Sequence, residues 1–381
     1  YNELYLAPHG LLSETDIRDL NIEVKNDQAL PYFFSSNNSD WHFDIFSAAF
    51  YLLSRYEEYL PNQADAHGRF AAENSLAHRA GFLQQPLIDE WAFAFASELK
   101  KVFPTLAFRE NHFQVACTID IDQAFRTKGK SNGRFIKSIL GSLLKADIKD
   151  LKNKIAVRRL QIDDPFDQYE RLEKMHRKIN WKAIYFILFA EKNTAQDINL
   201  EITQVDFLQR IKRLSHTADI GIHPSYQSNK NPEIMQSERF NLSQVIQKNI
   251  NSSRQHYLKM QIPNTYYDLI KIGILHDYTM GYASQIGFRA STCRPFPFFD
   301  LQANQITFLT LHPFCLMDTT FHAYLKYTPE QTLAAAKQLL QSVQAVKGVF
   351  CTLWHNESMS GYQEWKGWEN IYEELLSSIY V

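Results

Sequence analysis

The chain has 381 residues, a near-neutral balance of 40 Lys+Arg against 42 Asp+Glu, and 45% hydrophobic residues. Its length exceeds one typical domain and suits a large barrel, alone or with an accessory domain. The charge balance asks for no polyanionic partner, so nucleic acid is not expected, and no apolar run approaches the roughly eighteen residues a transmembrane helix needs.

Along the chain, Asp44 to Leu60 has helical apolar spacing and stops at Pro61, which predicts an amphipathic helix. Asn62 to Asn74 is polar and turn-rich, and its Asp65-Ala-His67-Gly68 segment reads as a turn in preference to a lid. Pro86 opens a second helix running to about Val102, with Asp89 and Glu90 in its first turn, and Pro104 ends it. These features set residues 1–112 apart as a small N-terminal domain.

From Phe113 onward, short β-rich runs alternate with longer helical ones, the pattern of a βα barrel or a doubly wound sheet. Residues 113–381 are expected to form that domain. Strands are predicted at 115–122, 183–189, 219–223, 257–262, 306–311 and 349–354. Helices are predicted at 165–179, 204–214, 232–251, 266–271 and 329–346, with a closing helix over 361–380. Residues 126–160 are basic and polar and predict a mobile insertion or a helix, with Lys145 to Arg159 read as a solvated helix face. The stretch Gly287 to Asp300, rich in aromatics, arginine and proline, is expected either to line a site or to pack onto the barrel. Four cysteines, Cys117, Cys293, Cys315 and Cys351, lack CxxC spacing and fit buried free thiols. Such usage favours a reducing, cytoplasmic setting. A chain that begins at Tyr1 leaves a removed leader open, and with it a secreted or periplasmic one.

Chemistry concentrates where apolar runs end. Val115 to Asp122 alternates so that Asp120 and Asp122, two residues apart, project from one face of a strand end. Two adjacent carboxylates there are costly unless a cation, a hydrogen-bond network or a shared proton compensates them. His223, in Gly221-Ile-His-Pro, and His355, after Val349 to Trp354, leave two further strand ends. In parallel α/β folds, sites gather at the carboxyl ends of strands, and two histidines with an aspartate suffice to hold a divalent metal with positions open for water and substrate. A lone histidine in any one of these places would more often be structural.

Taken in order, these segments resemble the polysaccharide deacetylases of the NodB-homology type, carbohydrate esterase family 4. Thr118-Ile-Asp120-Ile-Asp122 is similar to the family's first motif, which implies Asp120 as general base and Asp122 as metal ligand. Gly221-Ile-His223-Pro-Ser-Tyr-Gln227 resembles the second, normally His-x-x-x-His, and departs from it at Gln227. Arg254-Gln-His256 resembles the third, whose arginine orients the catalytic aspartate; His256 stands where proline is usual and is the candidate for the missing ligand. His276-Asp277 resembles the fourth, whose aspartate supports the catalytic histidine, and Thr352 to Asn356 the fifth, whose histidine, here His355, is the general acid. The resemblance implies a distorted (β/α) barrel preceded by a small α+β domain, of a kind found in a bacterial subgroup. It further implies a divalent metal, zinc foremost with nickel, cobalt, iron or manganese open, a carbohydrate substrate, and hydrolysis of N-acetyl groups on an amino-sugar glycan or glycoconjugate. Two rivals stand beside it: a glycoside hydrolase using paired carboxylates on a similar barrel, and a noncatalytic glycan-binding barrel that has lost a ligand at Gln227.

Overall fold

The computed structural model describes residues 3–380. Its strands are β1 (Gln114–Ile121), β2 (Ile184–Leu188), β3 (Asp219–His223), β4 (Ser252–Ser253), β5 (His276–Asp277), β6 (Phe296–Asp300), β7 (Gln305–Leu311), β8 (Leu316–Met317) and β9 (Val349–His355). The helices are α1 (Ile45–Leu53), α2 (Leu76–Arg79), α3 (Leu87–Val102), α4 (Asn132–Leu144), α5 (Ile148–Arg158), α6 (Tyr169–Lys178), α7 (Val205–Thr217), α8 (Pro232–Ile246), α9 (Asn264–Lys271), α10 (Pro329–Ala345) and α11 (Ile371–Ser377). The α/β class expected from the sequence is what the chain adopts, with mostly parallel strands and helices between them. The chain forms two compact units: residues 1–116 with 257–352, and residues 117–256 with 353–381.

In the first unit, an aromatic-rich core gathers Phe33, Phe43, Tyr51, Trp91 and Tyr282 among others. Helix α1 starts at Asp44, whose carboxylate accepts from the amides of Phe46 and Ser47. It ends earlier than the sequence predicts. Arg55 takes a left-handed backbone (φ 53°), and Tyr56–Tyr59 continues as a 3-10 turn instead. That turn delivers Glu57 and Glu58 to a buried ion network with Arg55 and Arg289. The Gly287–Asp300 stretch is packed, with its arginines paired to carboxylates of the N-terminal segment. Arg289 is buried against Glu58, Arg294 pairs with Asp89 at 2.9 Å, and its end becomes β6, antiparallel to β7. Asp65 accepts from the amides of His67 and Arg69, the expected turn.

In the second unit, strands are ordered β4-β3-β2-β1-β9, and β1, β2, β3 and β4 pair in parallel. Helices α7 and α8 return the chain between strands. Asn231 caps α8 and Pro232 occupies its first turn, where a missing N–H costs nothing. Gly221 on β3 has no room for a side chain, because a Cβ there would lie 2.5 Å from the Phe186 ring of β2. The basic 126–160 region folds as the helical pair α4 and α5.

The predicted strand 257–262 does not exist. Tyr257 and Leu258 hold positive φ (61° and 51°), which β-type extension forbids, and His256–Leu258 is a 3-10 turn. The pairing strand lies just upstream as β4. The closing 361–380 segment is also broken, α-helical over Ile371–Ser377 with short 3-10 turns at Gln363–Trp365 and Ser378–Tyr380. All four cysteines are buried and outside any disulfide.

Candidate metal centre

Strand β1 buries Ile119 and Ile121 on one face and sends Thr118 and Asp120 to the other, with Asp122 one step beyond its end. Both carboxylates approach the same atom. His223 Nε2 lies 3.7 Å from Asp120 Oδ2 and 3.2 Å from Asp122 Oδ1. His223 ends β3, so its ring emerges at the same end of the sheet. Alongside it, the Arg254 amide donates to Ile222 O and the His256 amide to Pro224 O, carrying the parallel pairing past β4. This continuation brings the His256 ring within 4.9 Å of His223, centroid to centroid, and its Nε2 to 3.5 Å from Asp122 Oδ2. Candidate ligand atoms of Asp122, His223 and His256 all lie within 4.8 Å of one another.

Proton positions follow from the partners. A carbonyl oxygen only accepts, so His223 Nδ1, 2.6 Å from Arg254 O, must carry a hydrogen. His256 Nδ1 lies 2.9 Å from the Asp197 carboxylate and donates likewise. In the neutral rings, both Nε2 lone pairs then point at Asp122 carboxylate oxygens. Acceptors facing acceptors require a positive species between them, a proton or a metal ion. In the absence of an ion, His256 takes up the proton: burial pushes its pKa down, but Asp122 and Asp197 outweigh this and bring it to about 9. Burial likewise pushes Asp122 up, and the charge of His256 with hydrogen bonds from both rings holds it well below the usual carboxylate range. With the rings neutral, Asp122 Oδ1, shielded from solvent, has no hydrogen-bond donor. An orphaned carboxylate oxygen and two imidazole lone pairs aimed at one place are the donor set a divalent ion fits.

The remaining site residues flank this group. Arg254 Nη1 donates to Asp120 Oδ1 at 2.8 Å, and its guanidinium lies 4.6 Å from the Phe186 ring centroid, so the arginine is fixed from two sides. His355 ends β9 with Nε2 3.7 Å from Asp122 Oδ2. Asn356 next to it donates to Gln123 O and Phe166 O, tying the β9 exit to the β1 exit. Gln227 stands at the N-cap position of the 3-10 turn Ser228–Lys230, with no capping bond from its side chain. Asp277 belongs to the other compact unit, where it is buried on β5 and accepts from the amide and hydroxyl of Thr279.

Sequence reasoning misses Asp197 and Asn199, both in the polar loop after β2. Asn199 accepts from the Ala124 amide and donates to Leu188 O, which pins this loop to the exits of β1 and β2. Asp197 accepts from the Tyr226 amide at 2.7 Å besides His256. The signal the sequence offers for them is the presence of two side chains, Asp and Asn, that favour loop anchoring.

A family of unknown function (DUF7033) matches residues 1–104. No curated protein matches the chain. Among solved structures, a candidate polysaccharide deacetylase from Mycobacterium smegmatis is similar over 72% of this chain and 86% of its own, with 12% identity and a TM-score of 0.45. Puue allantoinase is similar over 70% and 84%, at 9% identity and 0.45. A polysaccharide deacetylase from Bacillus cereus is similar over 71% and 88%, at 12% identity and 0.33. The likeness is one of fold.

Proposed function

We propose that this protein is a metal-dependent hydrolase that removes N-acetyl groups from an amino-sugar glycan or glycoconjugate, with zinc as the leading candidate ion. The observation that carries the reading is the pair of Nε2 lone pairs, on His223 and His256, facing the unsatisfied carboxylate of Asp122. In this reading Asp122, His223 and His256 are the ligands, and His256 replaces the histidine absent at Gln227. The ion they hold would polarise an acetamide carbonyl and lower the pKa of a water.

Asp120 would accept a proton from a water at the site as the water oxygen bonds to the carbonyl carbon, and Arg254 holds the carboxylate in place for this. His355 gives a proton to the amide nitrogen as the C–N bond breaks, leaving acetate and a free amine. Asp277 is assigned the support of His355 by the motif resemblance. The same proposal keeps residues 1–112 as an accessory module ahead of a catalytic domain over 113–381.

The test is a metal-soaked crystal examined by anomalous scattering, together with acetate release from N-acetylated amino-sugar oligomers. An ion about 2.0–2.2 Å from Asp122 and both Nε2 atoms is expected, with turnover abolished by chelator and restored by metal. An ion bound elsewhere, or turnover indifferent to chelator, overturns the proposal.

A further inference from the structure

Helix α4 turns an apolar face outward. Ile136, Leu140, Leu143 and Leu144 fall at i, i+4, i+7 and i+8, one face of a helix. With Ile148 at the start of α5, they are between 53% and 89% exposed. The opposite face turns inward and mixes Ser138 and Ser142 with the half-buried Phe135 and Ile139. Lys154 of α5, itself buried, donates to Ser138 O (2.9 Å) and Ser142 Oγ (2.7 Å) and pairs with Asp150 (2.7 Å). Asp150 in turn accepts from Tyr362 and Arg126. A soluble helix ordinarily buries its apolar stripe and wets its polar one. Here the hydrogen-bonded seam fixes the serine side of α4 inward, so a second apolar face, with its leucines, is held outward.

Charge surrounds that face. Residues 126–160 contain eleven lysines and arginines against two aspartates, in a chain whose net charge is −2. Lys137, Lys145, Lys149 and Lys152, all exposed, rim the apolar residues. The sequence reading of a solvated basic face accounts for the lysines but not for the leucines beside them.

The geometry points to an anionic lipid surface as the occupant: the α4–α5 hairpin lies on a bilayer, its apolar face at the acyl boundary and its lysines among acidic headgroups. Each competing occupant leaves one half of the pattern unsatisfied. A second copy of this chain would set one lysine rim against another. Nucleic acid would satisfy the lysines but leave the leucines in water. No helix among the described residues is long and apolar enough to cross a membrane, so the contact is peripheral.

Sedimentation of the full chain with vesicles tests this. Binding is expected with phosphatidylcholine vesicles containing about one-third phosphatidylglycerol and not with phosphatidylcholine alone, and it should weaken as salt rises. Lys145→Gln with Lys149→Gln should lower partitioning by on the order of 25-fold, about fivefold for each charge. Leu140→Ser with Leu143→Ser should abolish it. These side chains are exposed, and unchanged circular dichroism melts would confirm that the variants fold. As an independent readout, Leu144→Trp should add a blue-shifted fluorescence component with anionic vesicles but not with polyglutamate or duplex DNA. Three results would each overturn the inference: equal binding to neutral vesicles or none to either, the same shift with a soluble polyanion, or a lipid-free dimer dissociated by Leu143→Glu.

Discussion

Two buried charge clusters, one in each compact unit, differ in a way that separates scaffolding from chemistry. In the first unit, Glu58 receives Arg55 at 2.8 Å and Arg289 at 2.9 Å, and Glu57 receives Arg55 and the Leu76 amide. Every carboxylate there meets donors. In the second, Asp122 sits among three histidine rings whose Nε2 atoms lie at 3.2, 3.5 and 3.7 Å, two of them, when neutral, with their one ring hydrogen committed elsewhere. Burial and charge are common to both clusters. What differs is whether the carboxylate oxygens find donors, and the unanswered one at Asp122 asks for a positive species.

The largest expected effect breaks the site without touching its ligands. Asp120→Asn should lower kcat by about 10²–10⁴-fold, the range for loss of a general base, while bound metal stays constant. His223→Ala should lose metal and turnover together. Metal analysis beside steady-state kinetics distinguishes the two, and full activity in Asp120→Asn would remove its assignment as base. The counterpart in the first unit is Glu58→Ala, which strands the buried Arg289 guanidinium and leaves Arg55 with Glu57 as its one carboxylate. It should cost about 3–5 kcal/mol of stability in urea denaturation and leave metal affinity unchanged.

The two clusters also differ in how far the amino-acid sequence displays them. Asp120, Asp122 and His223 are legible there because a strand's period of two fixes which side chains share a face, and the apolar alternation of β1 shows that period. Strand β4 has two residues, too short to carry a period, so the apolar pattern points instead to 257–262, where the Tyr257 and Leu258 backbones turn left-handed. Asp197 is illegible for another reason. Its role is conferred by the Tyr226 amide and the His256 ring, neither of them near it in sequence. Helix α4 shows a third kind of limit, since spacing reveals that a helix has an apolar face but not that the face points outward.

A third buried carboxylate sharpens the comparison because it has neither an arginine nor a ligand group to answer it. Glu238 on α8 is fully buried, accepts from the Ser225 amide at 2.9 Å, and leaves Oε1 without a partner. Burial, only partly offset by its bonds to Ser225, pushes its pKa up to about 7 from 4.5. Between those values the folded state holds a proton that the unfolded chain has released, so stability falls as pH rises through that window. Glu238→Gln keeps the acceptor and removes the charge. It should stabilise the protein by on the order of 3 kcal/mol at pH 8 and by nothing near pH 4, as compared by urea midpoints at the two pH values. An equal gain at both would mean that ionisation is not the cause.

The smallest effect tests the most specific link in the site. Asp197 Oδ1 accepts from both His256 Nδ1 and the Tyr226 amide. Burial pushes the carboxyl up, but these donors bring it below its ordinary range, so it stays ionised. An ionised partner at Nδ1 fixes the tautomer of His256 and makes its Nε2 a stronger donor. In Asp197→Asn the amide oxygen can still accept both bonds, so ring position survives while the charge is lost. Metal affinity, measured by competition with a chelating dye, should fall about 10–100-fold, with the melting temperature nearly unchanged. Asp197→Ala, which also releases the ring, should fall further. Were Asp197→Asn to bind metal as tightly as the parent, the charge behind His256 would be irrelevant, and with it the reason for placing His256, in the stead of Gln227, among the ligands.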